Sequence, residues 1–572
     1  MTSTPQTSSA GFAALFTPKL VTVLREGYGA RDLWADTIAG LTVAIVALPL
    51  SMAIAIASGA PPGHGLVTAV IGGFLVSALG GSRFQIGGPA GAFIPLVAAT
   101  IAKHGLDGLA IATFMAGMML VVIGFLRLGT YIKYIPYPVT VGFTAGIAVI
   151  IAASQVRDAL GLTLGVSEPA DIIHKIPVFI AAIGTIRPVT VAMTIGSLSL
   201  IIVLRRLKPR WPGFLFAVVA GAAITATAGL PLDTIGSRFG AMPTGLSFRG
   251  LPGITIERLR DLLVPAIAIA LLGGIESLLS AVVADGMSGR RHRSNCELVA
   301  QGVANMASAL FGGIPVTGTI ARTATNVRSG ARGPISGMLH AVFVLIILMV
   351  AGPLMALVPM ATLAAILLVV AWNMAEKREF MALAAASKGD AVVLFAAFWL
   401  TVLVDLTVGI GVGIVLGALL FMHRMAEAIE IKTDMRLVDE DISDTATARV
   451  PYDNARAGDR EVVTYRLSGA FFFGAAATVA AVLDGLGATP KVFILDLSGV
   501  PFLDATGAYT LENFVRKLSS AGTAVIISGA RPPVRKMLDH FHVTEDKARF
   551  TETADEAASL AAQLRLLSKD GR

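Results

Sequence analysis

A single cysteine, Cys296, occurs in 572 residues, so no disulfide can form within the chain. Charge is also scarce. Asp, Glu, Lys and Arg supply 15% of the residues, against roughly a quarter in an ordinary soluble protein. No Walker loop, no metal-spaced cluster and no nucleophile with its base can be found, which argues against an ATP-driven pump or an intramembrane enzyme. No metal or cofactor is expected. The net charge of +7 comes without a basic and aromatic stripe, so nucleic acid is a poor partner and the anionic lipid of an inner leaflet a better one. No cleavable signal peptide is expected either: "FAALFTPKLVTVLREG" has no clean apolar core and no small-residue cleavage site. It reads as a cytosolic cap or as a short amphipathic helix on the membrane surface.

What the chain has in abundance is apolar sequence. Hydrophobic residues make up 55%, with a mean hydropathy of +0.76. Apolar runs fill the region from Asp36 to Met422. About 20 such residues span a bilayer as a helix, so the chain reads as a polytopic α-helical membrane protein. Hydropathy divides this region into two halves, Asp36–Leu230 and Asp261–Met422, around a Gly- and Pro-rich loop. Basic residues gather in alternate connections, among them Arg205–Arg210 and Arg290–Arg293. The positive-inside rule assigns those loops and both termini to the cytoplasm.

Two places recur between the halves: "QIGGPAGAFIP", Gln85–Pro95, and "GGIPVTGTIAR", Gly312–Arg322. Paired, Gly/Pro-interrupted apolar segments point to a transporter's midplane site. The competing reading is that the glycines only permit close helix packing. Each break would begin a half-helix, at Ala90, Gly91 and Ala92 and at Thr319, Ile320 and Ala321. Helix N-termini aimed at one point attract an anion, and Arg322 can add a cation.

The run "LLVPAIAIALLGGIESLLSAVVADG" carries one mid-membrane acid, Glu276. An acid placed there faces a cavity, pairs, or takes up a proton. Glu276 is therefore a candidate proton-coupling residue, with Ser280 one turn on along the same face. A structural glutamate packed against a cytoplasmic arginine is the alternative. Beyond Arg424 the polarity becomes ordinary. A linker leads to alternating strands and helices: "EVVTYRLSGAFFF", "AAATVAAVLDGL", "KVFILDLSGV", "GAYTLENFVRKLSSAG", "TAVIISG", "PVRKMLDHF". That alternation predicts a small cytoplasmic α/β domain. The divisions are 1–32 N-terminal segment, 33–425 membrane domain, 426–460 linker and 461–566 α/β domain.

Four motifs in order resemble the SulP anion transporters, the family that includes the solute-carrier-26 proteins. They are "DTIAGLTVAIVALPLSMAIAIASGAPPGHGL", "GGSRFQIGGPAGAF", "IPVTGTIARTATNVRSG" and "VFILDLSGVPFLDATG", the last resembling the core of a STAS domain. "LLGGIESLLSAVVADGMSG" and "LLVVAWNM" look most like bacterial C4-dicarboxylate carriers. The resemblance implies two inverted seven-helix repeats forming core and gate domains, with an elevator-like movement. It places an anion between the third and tenth helices, lined also by Leu50 and Ile54 of the first. A glutamate at position 276 implies proton symport of a C4-dicarboxylate such as fumarate or succinate, or of sulfate. Bicarbonate or another inorganic anion, anion exchange, and an anion-sensing signalling or motor protein are the alternatives. The family also implies a homodimer in a bacterial inner membrane, with an unidentified regulator at the STAS loop around Asp504 and Thr506. Ala505 stands where related domains carry a phosphorylated serine, so phosphorylation there is excluded.

Overall fold

The computed structural model describes residues 15–130, 135–166, 168–169, 171–208, 211–242, 245–427, 430–433, 461–472 and 490–567. The expected helix "AAATVAAVLDGL" and most of the linker lie outside these. The chain separates into two compact units, Met1–Gly417 and Ala418–Arg572.

Among the described residues, nine helical segments are long and apolar enough to span a bilayer. A short helix α1, Lys19–Arg25, precedes α2, Ala30–Ala57. Helix α3, Pro62–Leu79, contains a π turn at Thr68–Gly72. There the Thr68 hydroxyl accepts from the N–H of Ile314 at 2.7 Å, and so ties the loop of the second half to the first. Helix α4, Gly91–Phe125, has 35 residues, too many for one straight crossing. It breaks at Gly105, whose φ of 70° is open to glycine at no steric cost.

Three helices follow: α5, Tyr137–Ser154; α6, Pro188–Leu207; and α7, Gly213–Ala228. The second half has α8, Leu263–Ser288; α9, Ser294–Leu310; α10, Ile320–Arg328; α11, Ile335–Met355; α12, Met360–Met374; α13, Lys388–Leu403; and α14, Leu406–Glu427. Helices pair across the halves: α9 on α4, α11 on α2, and α13 on α5. Two very short strands, β1 (Gly87–Gly88) and β2 (Thr317–Gly318), pair antiparallel. Each precedes a half-helix. Corresponding segments that run in opposite directions are what inverted repeats require.

The second unit is the expected α/β domain. Its sheet, in the order β3 (Glu430–Thr433), β4 (Val462–Ser468), β5 (Val492–Gly499), β6 (Ala524–Ser528), β7 (Arg549–Thr551), is parallel except for β3. Strand β5 is buried through Leu497, as the apolar run "VFILDL" suggests for a central parallel strand. Helices α15 (Ala505–Ser520), α16 (Pro532–His540) and α17 (Ala554–Leu567) accompany the sheet.

Candidate functional site

The centre of the first unit is organised by the two-stranded ladder. Gly87 pairs with Gly318, and Gly88 with Thr317. Pro89, which has no N–H to donate, ends the strand. Beyond it, α4 starts with a 3-10 turn at Gly91–Phe93 behind an extended Ala90. Opposite, Thr319 is extended and α10 begins at Ile320. The Thr319 N–H donates to Ile86 O at 3.0 Å, and the Ile86 N–H to Thr323 Oγ1 at 3.1 Å. Neither half-helix has a side-chain cap, so the N–H groups of both first turns are open to a ligand.

Glycine is required where the ladder meets side chains. A Cβ on Gly88 would overlap Arg322 Nη1, and one on Gly318 would overlap Gln85 Nε2. Arg322, 1% exposed, lies against the back of β1. Its Nη2 donates to Ser51 Oγ at 3.1 Å and to Pro89 O at 3.2 Å. Its Nε and Nη1 have no partner. A buried guanidinium with open donors is costly unless an acceptor arrives.

Glu276, half-buried on α8, attracts Arg322 electrostatically, yet its Oε2 forms no hydrogen bond. No direct ion pair forms between the two groups. Ser280 shares the helix face, but its hydroxyl is engaged by Thr323 Oγ1 at 3.1 Å. Ala90 and Ala92 are buried, while Ile320 and Ala321 are exposed. Leu50 and Ile54 are buried on α2, the helix that presents Ser51 to Arg322. Across from the half-helices stand α5 and α12. A Cβ on Gly91 would lie 3.5 Å from Ile151 Cδ1 and 3.2 Å from Met374 Sδ.

Several neighbours carried no sequence signal of their own. Gln85 Nε2 donates to Ser277 Oγ at 2.7 Å, and Ser277 Oγ lies 3.5 Å from Glu297 Oε1. Glu297 is fully buried. Its Oε2 accepts from the N–H groups of Gly81 at 2.9 Å and Ser82 at 3.1 Å, and its Oε1 from Gln301 Nε2 at 3.1 Å. Thr317 Oγ1 donates to Gly273 O at 2.9 Å, fastening β2 to α8. His340 is buried with both ring nitrogens unpartnered. In the second unit, Asp504 caps α15 by accepting from the Gly507 N–H at 2.8 Å; Thr506 is exposed in the first turn.

Comparison with known proteins gives this arrangement a context. Residues 33–397 match the model of the sulfate permease family, and residues 455–557 that of the STAS domain. A Bacillus subtilis protein named "Putative sulfate transporter YvdB" is 40% identical over 90% of this chain and 94% of its own. The "Bicarbonate transporter BicA" of Synechocystis is 32% identical over 90% of this chain and 91% of its own. The solved overall structure of SLC26A9 superimposes with a TM-score of 0.83 at 18% identity, covering 96% of this chain and 93% of that one. That last likeness establishes the fold.

Proposed function

The chain belongs to the sulfate permease family, and from that premise we propose that it carries small anions across a membrane as a secondary active transporter. The observation that carries this reading is a convergence. Two uncapped half-helix N-termini, an arginine with open donors and a carboxylate oxygen without a partner meet at one ladder. The anion accepts from the N–H groups opening at Ala90, Gly91 and Ala92 and at Ile320 and Ala321, behind the extended Thr319, while Arg322 supplies a full positive charge. Leu50 and Ile54 wall the site from α2. No enzymatic step is involved.

Glu276 takes up a proton as the anion binds, with Ser280 supporting its face. A divalent anion beside Arg322 then leaves one net negative charge in place of two, which lowers the cost of passing through the membrane core. An elevator-like movement is supported by the way the site is fastened: ladder, Arg322 and Ser51 connect both half-helices to α2. Sulfate is the first candidate, since the name of the 40%-identical relative points to it. Fumarate or succinate, the C4-dicarboxylates, come next. Bicarbonate is a second reading, favoured because Arg322 balances a single negative charge and because a relative is named for that anion. The protein would sit in a bacterial inner membrane as a homodimer with both termini cytoplasmic, and the loop at Asp504 and Thr506 would receive a regulator.

Purified protein in proteoliposomes tests this with labelled sulfate, fumarate and bicarbonate, with and without an inward proton gradient. Gradient-driven accumulation that Glu276→Gln abolishes supports proton symport. Flux indifferent to both gradient and substitution sinks the coupling role and leaves an exchanger or channel. Binding without flux leaves an anion sensor.

A further inference from the structure

Helices α5, α6 and α12 leave between them a cavity of about 870 Å³, within the roughly 300–1,000 Å³ range of ligand sites. Its walls are apolar side chains of all three helices, among them Ala148, Ile202 and Ala371. Arg205, Arg206 and Trp372 stand on its lining as well. On α12 the helical period separates two faces. Val370 and Met374 look toward Gly91 in the candidate anion site, whereas Leu368, Ala371, Trp372 and Ala375 line the cavity. The cavity is therefore distinct from the anion site and shares one helix with it.

The charges at its end are unspent. Arg205 Nη1 donates to Asn373 Oδ1 at 3.0 Å, and among the described residues no carboxylate lies within ion-pair distance of Arg205 or Arg206. Arginines on the other loops differ: Arg238 pairs with Asp158 at 2.8 Å, and Arg187 with Asp233 at 3.8 Å. Trp372, 70% exposed, has Lys377 Nζ 2.8 Å above its ring, an aromatic and cationic anchor of the kind found at a membrane interface. The positive-inside rule assigns the Arg205–Arg210 end to the cytoplasm, the leaflet rich in anionic lipid.

We propose that this cavity binds an anionic phospholipid. The acyl chains lie against α5, α6 and α12, and the phosphodiester is held by Arg205 and Arg206. An apolar cleft within a bilayer attracts hydrocarbon over water, and paired guanidinium forks match phosphate geometry. The occupant backs α12, so it stiffens the wall that faces Gly91.

The test uses the full-length protein in detergent, with phosphatidylglycerol, phosphatidylcholine and inorganic phosphate as probes and the thermal unfolding midpoint as readout. Phosphatidylglycerol is expected to raise the midpoint, phosphatidylcholine to do so less, and phosphate alone not at all. The variant R205Q/R206Q should need roughly tenfold more phosphatidylglycerol for the same rise. R290Q/R291Q, which loses the same charge elsewhere, should respond as the parent does. Native mass spectrometry should show phosphatidylglycerol retained by the parent and lost from R205Q/R206Q. Equal responses to the two lipids, a parental response from R205Q/R206Q, or a rise with phosphate alone would each overturn the proposal. So would a midpoint that follows protein concentration and ignores lipid, since that places a second copy in the cleft.

Discussion

Glu276 and Arg322 are the two residues whose environments leave most undone. One carries a carboxylate oxygen and the other two donor nitrogens without a partner. Glu276 could be read from the sequence because a single acid in a long apolar run has few explanations. Ser51, which orients Arg322, could not, because a serine two residues after Pro49 also suits an ordinary kinked helix. Arg322→Lys should bind the anion about tenfold more weakly or worse, since a lysine that keeps the Ser51 and Pro89 bonds has no second nitrogen to stand where Nε and Nη1 lie open. Tracer-anion binding to the purified protein measures this. Gly88→Ala pushes a methyl into the guanidinium, with an expected cost of about 1–3 kcal/mol and a matching loss of binding. A normal thermal midpoint together with normal binding would show that Arg322 has room to move.

At the scale of elements, the broken segments were legible because Gly-Gly-Pro and Thr-Gly-Thr interrupt otherwise apolar runs. The antiparallel ladder joining them was not legible, since two residues per strand are too few for any periodicity. Helix α9 hid a buried acid. Glu297, Gln301 and Asn305 recur every four residues in "SNCELVAQGVANMASAL", a stripe that in isolation resembles a solvated face. In the fold the stripe points inward and holds the turn between α3 and β1. Glu297→Ala leaves the buried N–H groups of Gly81 and Ser82 unpaired, at about 1–3 kcal/mol each. Thermal unfolding should show a lowered midpoint. Glu297→Gln should lose less, since its amide oxygen still accepts one of them.

For the whole molecule, composition and charge pattern gave the membrane class and the two units, because both are sums over many residues. Outside the basic loops the structure balances individual cations. Lys175 pairs with Glu168 at 2.8 Å, and Arg238 with Asp158, so these loops carry little net charge. Topology can be read with thiols, because the sole cysteine, Cys296, is buried. Gly165→Cys, with open space around it, should react with an impermeant maleimide added outside cells. Arg291→Cys should react only after lysis, and the opposite result would invert the topology.

The α/β unit should lose stability in acid through Asp496. Burial pushes its carboxyl up, but the Ser498 N–H at 2.9 Å, the Ser498 hydroxyl and Arg466 at 2.6 Å hold it below the usual range. Such a depressed group stabilises above the ordinary carboxylate range and stops doing so as pH falls through its lowered value. Hydrogen exchange along β5 should therefore separate wild type from Asp496→Asn at neutral pH, and the difference should close in acid.

The ladder between β1 and β2 has a consequence for thermodynamics. Because the ladder stitches both half-helices into one strip, the proposed site would not have to rebuild the anion's ligand sphere as its opening changed sides. Under the proposed elevator-like movement its intrinsic dissociation constant would be the same inside and out, and the protein would be a reversible machine with no built-in direction. Concentration and proton gradients alone would decide whether a cell fills or empties, and a cell that loses its proton gradient would leak the very anion it had gathered.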